Sequence, residues 1–314
     1  MLPEVPMDPP MARYAVIDIG TNSIKFIIGE KHDDGTWSVV VDRAEITRLG
    51  DKLQESGELH PEAMERNADA IAEIIAEAAR QGVTAVVAVG TMSLRTAQNS
   101  KQFIDRVQAR CGLTIEVITG EEESRLSYLA VKSGIGLSKG SMVIFDTGGG
   151  STEFVFTRGV SLRDRFSLNV GALRFMEKYG LDNAVSSDRL QEALSEIAED
   201  LQRLDSASSP GLLVGIGGTV TTIASVRLRL ATYDPDLVQG SSIDRSEIDR
   251  QMEDYRTRPT EDRKRIVGLQ PKRADIILAG LCIVRTVMDK LHKDRFVVSD
   301  RGLRHGLLVD RFRK

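Results

Sequence analysis

Two short segments of this chain repeat one pattern of chemistry-bearing residues. Asp18-Ile19-Gly20-Thr21-Asn22-Ser23 and Asp146-Thr147-Gly148-Gly149-Gly150-Ser151 carry Asp, Gly and Ser at the same offsets, 128 residues apart. Each follows an apolar run and precedes another, Phe26-Ile27-Ile28 in the first case and Phe154-Val155-Phe156 in the second. A single strand–Asp-x-Gly–strand unit is an ordinary turn, in which Asp caps its own backbone and Gly takes a positive φ. Two matched copies, one with three consecutive glycines, point further. Glycines remove side chains, so successive backbone N–H groups converge on one concavity suited to an anion, and Ser and Thr add hydroxyl donors. Such loops are suited to holding phosphates, one from each of two lobes of similar design.

A third cluster, Gly215-Ile216-Gly217-Gly218-Thr219, follows a strand-like run and opens a helix. Position 220 is Val, so the third glycine of a dinucleotide fingerprint is missing. A phosphate-facing helix N-terminus is the reading that remains. No Gly-x-x-x-x-Gly-Lys-Ser/Thr motif occurs, which excludes a P-loop protein. Glu121, Glu122 and Glu123 follow Gly120 at the start of an apparent helix, where acids complement the dipole. That explanation suffices for Glu121. Asp146 and Glu153 lie seven residues apart across the glycine turn, so the flanking strands can bring both carboxylates to one edge. In the first copy the position of Glu153 is taken by Lys25, an acid in one lobe matched by a base in the other.

The elements that must position these groups alternate. Strand-like runs at Tyr14–Ile19, Ile24–Gly29 and Trp37–Val41, with Asp34-Gly35 turning the last pair, precede a helix over Pro61–Arg80. Ala63, Ala70, Ile71, Ile74, Ile75 and Ala78 form its stripe. A strand at Ala85–Val89, a helix near Lys101–Arg110, a strand at Thr114–Ile118 and a helix from about Glu121 complete the first series. The second has strands at Met142–Phe145 and Phe154–Phe156, a helix at Asp188–Leu204 and a strand at Leu212–Ile216. After it come a helix beyond Gly218, a loop at Tyr233–Gly240, a long helix at Arg273–Leu291, a strand at Phe296–Ser299 and a terminal helix from Leu303. This order defines an α/β fold. The division expected is a tail over residues 1–11, a first lobe over 12–132 and a second over 133–314, with the last helix packing back on the first lobe.

Composition narrows the functional classes. The 314 residues carry 42 Lys+Arg against 46 Asp+Glu, a net charge of −4, with 41% in the hydrophobic set. That is globular composition with material for two cores. A mildly acidic chain is a poor general nucleic-acid binder, because phosphate-backbone binding draws on excess Lys and Arg. Ile276–Val284, the longest apolar run, is about half a membrane span. Residues 1–11 hold four prolines and no signal-peptide core, and Met7 and Met11 are alternative starts. Cys111 and Cys282 read as reduced core thiols of a cytoplasmic protein. His32, His60, His292 and His305 show no metal spacing and read as surface or structural.

The ordered set Asp18-x-Gly20-Thr21-Asn22-Ser23, Gly120-Glu121-Glu122-Glu123-Ser124-Arg125 and Asp146-x-Gly148-Gly149-Gly150-Ser151-Thr152-Glu153 resembles the exopolyphosphatase/guanosine-pentaphosphatase (Ppx/GppA) family. Arg273-Ala274-Asp275 and Ser299-Asp300-Arg301-Gly302-Leu303-Arg304 extend the resemblance from about residue 12 to the end. It implies two actin-like, ribonuclease H-like lobes of the ATPase superfamily flanking a phosphate-binding cleft. It also implies roles. Glu123 aligns with the family's catalytic base, with Glu122 as second choice and Ser124 replacing the usual Ala. Asp146 and Glu153 are implied to hold Mg²⁺, with waters completing the octahedron. Arg95, in Gly90-Thr91-Met92-Ser93-Leu94-Arg95-Thr96-Ala97, matches a phosphate-contacting arginine, whose planar fork suits phosphate oxygens. Asn22, Ser23 and Lys25 are expected at the substrate from the first lobe. From the second come Gly148, Gly149, Gly150, Ser151, Thr152, Gly217, Gly218 and Thr219. Arg174 and Arg273 are weaker candidates.

The activity implied is release of terminal orthophosphate from inorganic polyphosphate, by a homodimer binding neither nucleic acid nor membrane. Hydrolysis of guanosine pentaphosphate is the alternative. A small-molecule kinase of the same superfamily would carry insertions for its acceptor, and an actin-like filament or sensor would not need Glu123. The absence of a Lys/Arg cluster beside the cleft would count against a polymeric substrate.

Overall fold

The computed structural model describes residues 12–136 and 139–313; the expected tail over 1–11 lies outside them. Two sheets form the frame. In the first, β1 (Arg13–Ile19), β2 (Ser23–Lys31), β3 (Trp37–Ile46), β4 (Val83–Gly90) and β5 (Ile115–Val117) are arranged β3-β2-β1-β4-β5. The second comprises β6 (Ser141–Thr147), β7 (Thr152–Arg158), β8 (Ser161–Leu168), β9 (Leu212–Ile216), β10 (Ser242–Asp244) and β11 (Arg295–Val298), in the order β10-β11-β9-β6-β7-β8. The two orders correspond strand for strand apart from β10 at one edge. Both begin with an antiparallel hairpin, β1–β2 or β6–β7, and add a parallel strand beside its first member. The internal repeat of the sequence is thus a repeat of topology.

One face of the first sheet packs on the helices Pro61–Arg80 and Ser100–Cys111, through Met64, Ile71, Ile74, Phe103 and Val107. One face of the second packs on helices that include Ser187–Asp200, Gly217–Arg227 and Ile277–Lys290, in a larger core containing Phe145, Phe154, Phe175 and Phe296. The opposite faces are covered crosswise. The helix Gly120–Gly134 lies on the second sheet, with Val131 packed among Met142, Ile144, Val155 and Val214. The last helix, Leu303–Arg311, lies on the first, with Leu303, Leu307 and Leu308 against Val16, Ile27 and Val89. These two helices meet so closely that a Cβ on Gly306 would stand 2.0 Å from the Leu126 carbonyl oxygen. The sequence division after residue 132 falls inside the helix Gly120–Gly134, which packs on the second sheet through Val131 and against the last helix and first sheet through Leu126.

Element boundaries moved where local chemistry interrupts the apolar pattern. The stretch expected as one helix from Arg273 begins as a 3₁₀ turn, Pro271–Arg273, and becomes α-helical at Ile277. The expected loop at Tyr233–Gly240 contains one helical turn, Pro235–Val238, capped by Asp234. Cys282 is fully buried and Cys111 half-buried, and both are free thiols. Among the described residues no helix is long and apolar enough to cross a membrane.

Candidate functional site

The two repeated turns meet at the bottom of a cleft between the lobes. In each, the first glycine N–H donates to the serine carbonyl that closes the turn, Gly20 to Ser23 at 3.0 Å and Gly148 to Ser151 at 2.9 Å. The turns touch. A Cβ on Gly149 would lie 2.8 Å from the Asn22 Cβ, and one on Gly150 would lie 2.6 Å from Met92 Sδ. Any side chain there would push the lobes apart. Thr21, Asn22, Gly149 and Gly150 line the cleft. Among the described residues their N–H groups have no protein acceptor. Both polar atoms of the Asn22 amide are buried without a partner. Unsatisfied buried donors at the bottom of a cleft mark a place where a ligand supplies the acceptors.

The strand hairpins place the charged groups. Asp18 pairs in register with Lys25 across β1–β2, and Asp146 with Glu153 across β6–β7. Lys25 Nζ lies 3.2 Å from Asp18 Oδ2. Burial works against the charge of this ammonium, but the Asp18 and Asp146 carboxylates outweigh it and hold the Lys25 pKa above its ordinary value. Burial pushes the Asp146 carboxyl up, with Lys25 opposing and Asp18 adding to the rise. Glu153 is pushed up to about 7 by burial and by Asp146, against hydrogen bonds from two serines. Ser151 Oγ and Ser167 Oγ both donate to Glu153 Oε1, at 2.6 and 2.7 Å. That fixes the carboxylate and leaves Oε2 with no hydrogen bond among the described residues.

Glu123 enters from the first turn of the helix Gly120–Gly134, which Thr119 caps by accepting from the Glu122 N–H. Its carboxylate accepts from Arg95 Nη1 at 3.0 Å, and the same nitrogen donates to the Ile118 carbonyl at 2.9 Å. Burial first, then the Glu153 charge, raise Glu123 well above the usual carboxylate range despite Arg95. Ser124 donates to the Gly120 carbonyl at 2.8 Å, so the exchange of Ala for Ser here costs no unpaired hydroxyl.

Most of the expected residues converge: Asn22, Ser23, Lys25, Glu123, Asp146, Gly148, Gly149, Gly150, Ser151, Glu153, Gly218 and Thr219 all line the cleft. Arg95 reaches it through Glu123. Arg273 joins them, burial lowering its pKa to about 10. Three expectations are corrected. Glu122 points away, held by Arg125 at 2.7 Å, because one residue along a helix turns the side chain about 100°. Thr152 is buried with its hydroxyl on the Val170 carbonyl at 2.6 Å, a structural bond behind the turn. Arg174 pairs with Glu196 and Asp200, outside the cleft. Gly217 lines an adjoining cavity and backs the cleft, where a Cβ on it would stand 2.1 Å from Asp146 Oδ1. Asp18, Thr91 and Ser167 were missed as site residues; only Asp18 had a signal, its equivalence with Asp146 in the repeat.

Four carboxylates, Asp18, Glu123, Asp146 and Glu153, gather here around Lys25 and the Arg95 guanidinium. This excess of buried negative charge would suit a divalent cation, and Asp146 and Glu153 are the carboxylates that could hold one. Among the described residues no trio of His, Cys, Asp or Glu forms a closed metal cage, and an ion that keeps most of its waters asks for none. The adjoining cavity, about 550 Å³, opens from the cleft past Lys25, Gly218 and Arg273. Arg43 and Arg304 add positive charge against Asp42 and Asp300, while Leu230, Ala231, Pro235, Leu269 and Pro271 give it an apolar wall.

Two topologically matched lobes closing over paired Asp-x-Gly turns define a protein of the actin-like ATPase fold. Residues 27–314 match the model of the Ppx/GppA phosphatase family, and the chain belongs to that family. It is similar to the crystal structure of the Aquifex aeolicus family member, with a TM-score of 0.80 and 33% identity over 96% of this chain and 98% of that one. It is 30% identical to the guanosine-5'-triphosphate,3'-diphosphate pyrophosphatase of Vibrio atlanticus over 98% of this chain and 61% of that protein. To exopolyphosphatase 1 of Mycobacterium bovis it is 28% identical, over 95% of this chain and 87% of that protein. The chain spans between 46% and 61% of the length of several of the curated relatives it matches.

Proposed function

We propose that this protein hydrolyses the terminal phosphoanhydride bond of a polyphosphorylated substrate, with inorganic polyphosphate as the first candidate. The observation that carries this is the placement of Glu123, a buried carboxylate held by one arginine, in a cleft with two glycine turns whose Thr21, Asn22, Gly149 and Gly150 N–H groups have no acceptor among the described residues. The turn N–H groups and the Asn22 amide take the oxygens of the terminal phosphate, and Arg273 and Lys25 balance the charge behind it. A water between Glu123 and that phosphate attacks phosphorus in line with the bridging oxygen. Its proton passes to Glu123, a P–O bond forms, the bridging P–O bond breaks, and the shortened chain leaves with the electron pair. Glu123 suits the role because burial raises its affinity for a proton. A Mg²⁺ held by Asp146 and Glu153 would neutralise charge on the phosphate oxygens.

The adjoining cavity favours a second substrate. Its apolar wall and its size suit a nucleoside, and guanosine pentaphosphate would seat its 5′-terminal phosphate in the same cleft. Its four basic side chains against two acids keep a short polyphosphate in contention, since they form a local basic track on an acidic protein. The name of the Vibrio relative favours the nucleotide, and that of the Mycobacterium relative favours the polymer.

Orthophosphate release with Mg²⁺ from short polyphosphate, long polyphosphate and guanosine pentaphosphate, wild type beside Glu123→Ala, tests the reading. Loss of the base is expected to lower kcat by about 10²–10⁴-fold. Release unaffected by the substitution would remove Glu123 from the mechanism. No release from any of the three would remove the reaction.

A further inference from the structure

The segment that follows β3 is strained, clamped and shared between the lobes. Arg48 and Lys52 take φ angles of 50° and 57°, left-handed values that side chains other than Gly, Asn and Asp seldom adopt. Such strain persists only where its surroundings enforce it. Here Arg66, on the helix Pro61–Arg80, donates Nε to the Thr47 carbonyl at 2.7 Å and Nη2 to the Arg48 carbonyl at 3.3 Å. Asn67 donates to the Thr47 carbonyl at 3.1 Å.

The clamped segment holds the first glycine turn from behind. The N–H groups of Thr47 and Arg48 donate to the Asn22 carbonyl at 3.2 and 3.0 Å, and that of Gly50 to the Thr21 carbonyl at 2.9 Å. The Arg48 side chain meanwhile crosses to the second lobe. It forms an ion pair with Asp275 and donates to the Lys272 carbonyl at 3.3 Å. Those two residues flank Arg273, whose guanidinium lies over Gly218 so tightly that a Cβ there would meet Nη1 at 2.4 Å. A second crossing sits alongside: the Lys52 N–H donates to Glu177 Oε1 at 3.1 Å.

We infer that Arg48 is a positioning residue, a clasp that fixes the first-lobe turn at Asn22 and the second-lobe arginine at Arg273 at one separation. Its backbone holds one and its side chain holds the other. The strained backbone is what aims the side chain across the cleft. This rests on the cleft being the hydrolytic site proposed above. The clasp acts on how substrate is gripped and leaves the base and the metal ligands alone, so its loss appears in KM.

Four variants test it: Arg48→Asn, which retains a residue tolerant of the left-handed conformation, Asp275→Asn, both together, and the exchanged pair Arg48→Asp with Asp275→Arg. KM and kcat are measured with tripolyphosphate. Lobe separation is measured by pulsed electron resonance between spin labels at Glu58→Cys and Asp188→Cys, in a Cys111→Ser background. Each single variant is expected to raise KM about fivefold, the upper range for a partly shielded ion pair, with kcat within twofold and a broader, longer distance distribution. The double variant should be no worse than either single one, and the exchanged pair should recover both readouts. Additive single effects, or an unchanged distance distribution in Arg48→Asn, would overturn the clasp. If wild type cleaves no tripolyphosphate, the hydrolytic reading is what suffers, and the distances alone decide the clasp.

Discussion

Lys25 and Glu153 occupy the same register position in two copies of one hairpin, and their opposite charges divide the labour of the cleft. Lys25 sits beside Asp18 and feels Asp146, so its ammonium is held charged from its own lobe and from the other. Its removal strips a buried, charge-assisted donor. Lys25→Met is expected to lower kcat/KM about tenfold or more, read by phosphate release over a range of substrate concentrations. An unchanged ratio would show that the ammonium serves Asp18 alone. At this scale the sequence was informative where residues form a pattern. Asp146, Glu153 and the glycine turns stand out because the pattern occurs twice, and Glu123 stands out through its motif. Ser167 and Arg48 do not, being single polar residues on a strand edge and in a loop, with nothing in their spacing to reveal that one grips a carboxylate and the other spans the lobes.

Among the elements, the helix Pro61–Arg80 and the strand Leu212–Ile216 were legible to the residue, whereas the other apolar runs marked only the centres of strands that extend further at one or both ends. Within that helix Ala70 and Ile75 turn out only half-buried, whereas Met64, Asn67 and Ala68 are buried, so the stripe is rotated slightly from the one the aliphatic residues outline. β8 and the helix Arg245–Arg256 were missed for a physical reason. β8 is an edge strand whose outward positions are charged, and the helix is polar except at Ile248, Met252 and Tyr255. Three apolar residues at four- and three-residue spacing suffice when the partner core is already built. The crossing of Gly120–Gly134 and Leu303–Arg311 yields a sharper test. The clash at Gly306 is with backbone, which cannot rotate away, so Gly306→Ala is expected to destabilise the fold by about 3 kcal/mol. Denaturant unfolding measures it; a loss below about 1 kcal/mol would mean the helices part easily.

Across the whole molecule, charge is spread so that opposite signs meet at the rim, where the last helix is tied to the first sheet, and like signs gather at the centre. At the rim, Arg304 and His305 of the last helix bind Asp42 of β3, with His305 Nε2 3.2 Å from Asp42 Oδ2. The Gly302 N–H donates to His305 Nδ1 at 3.3 Å, and burial together with the neighbouring Arg304 charge lowers the pKa of this imidazole. Burial would raise the Asp42 carboxyl, but the His305 and Arg304 hydrogen bonds prevail and bring it down to about 2. A lowered carboxyl stabilises the fold above its unfolded pKa near 4 and loses that contribution as pH falls toward 2. With allowance for its partial exposure, about 1–2 kcal/mol is at stake. The stability gap between wild type and Asp42→Asn should therefore close between pH 4 and pH 2; a gap constant with pH would refute the assignment.

At the centre the sign reverses. Glu153 is raised, so the folded state keeps a proton that the unfolded chain releases, and stability falls as pH climbs from about 4.5 through 7. Glu153→Gln is expected to raise Tm at pH 8 without divalent cation, and Mg²⁺ should raise the wild-type Tm but not the variant's. A wild-type Tm indifferent to millimolar Mg²⁺ would sink the metal assignment. The crosswise helices also set a schedule for synthesis. The far face of the first sheet is closed by Leu303–Arg311, which is translated some 290 residues after β1 begins. At ordinary elongation rates that interval is about 15–60 s. For that time Val16, Ile27 and Val89 have only Ile118 and Leu126 to pack against, so the nascent first lobe keeps apolar surface exposed until Leu303–Arg311 arrives.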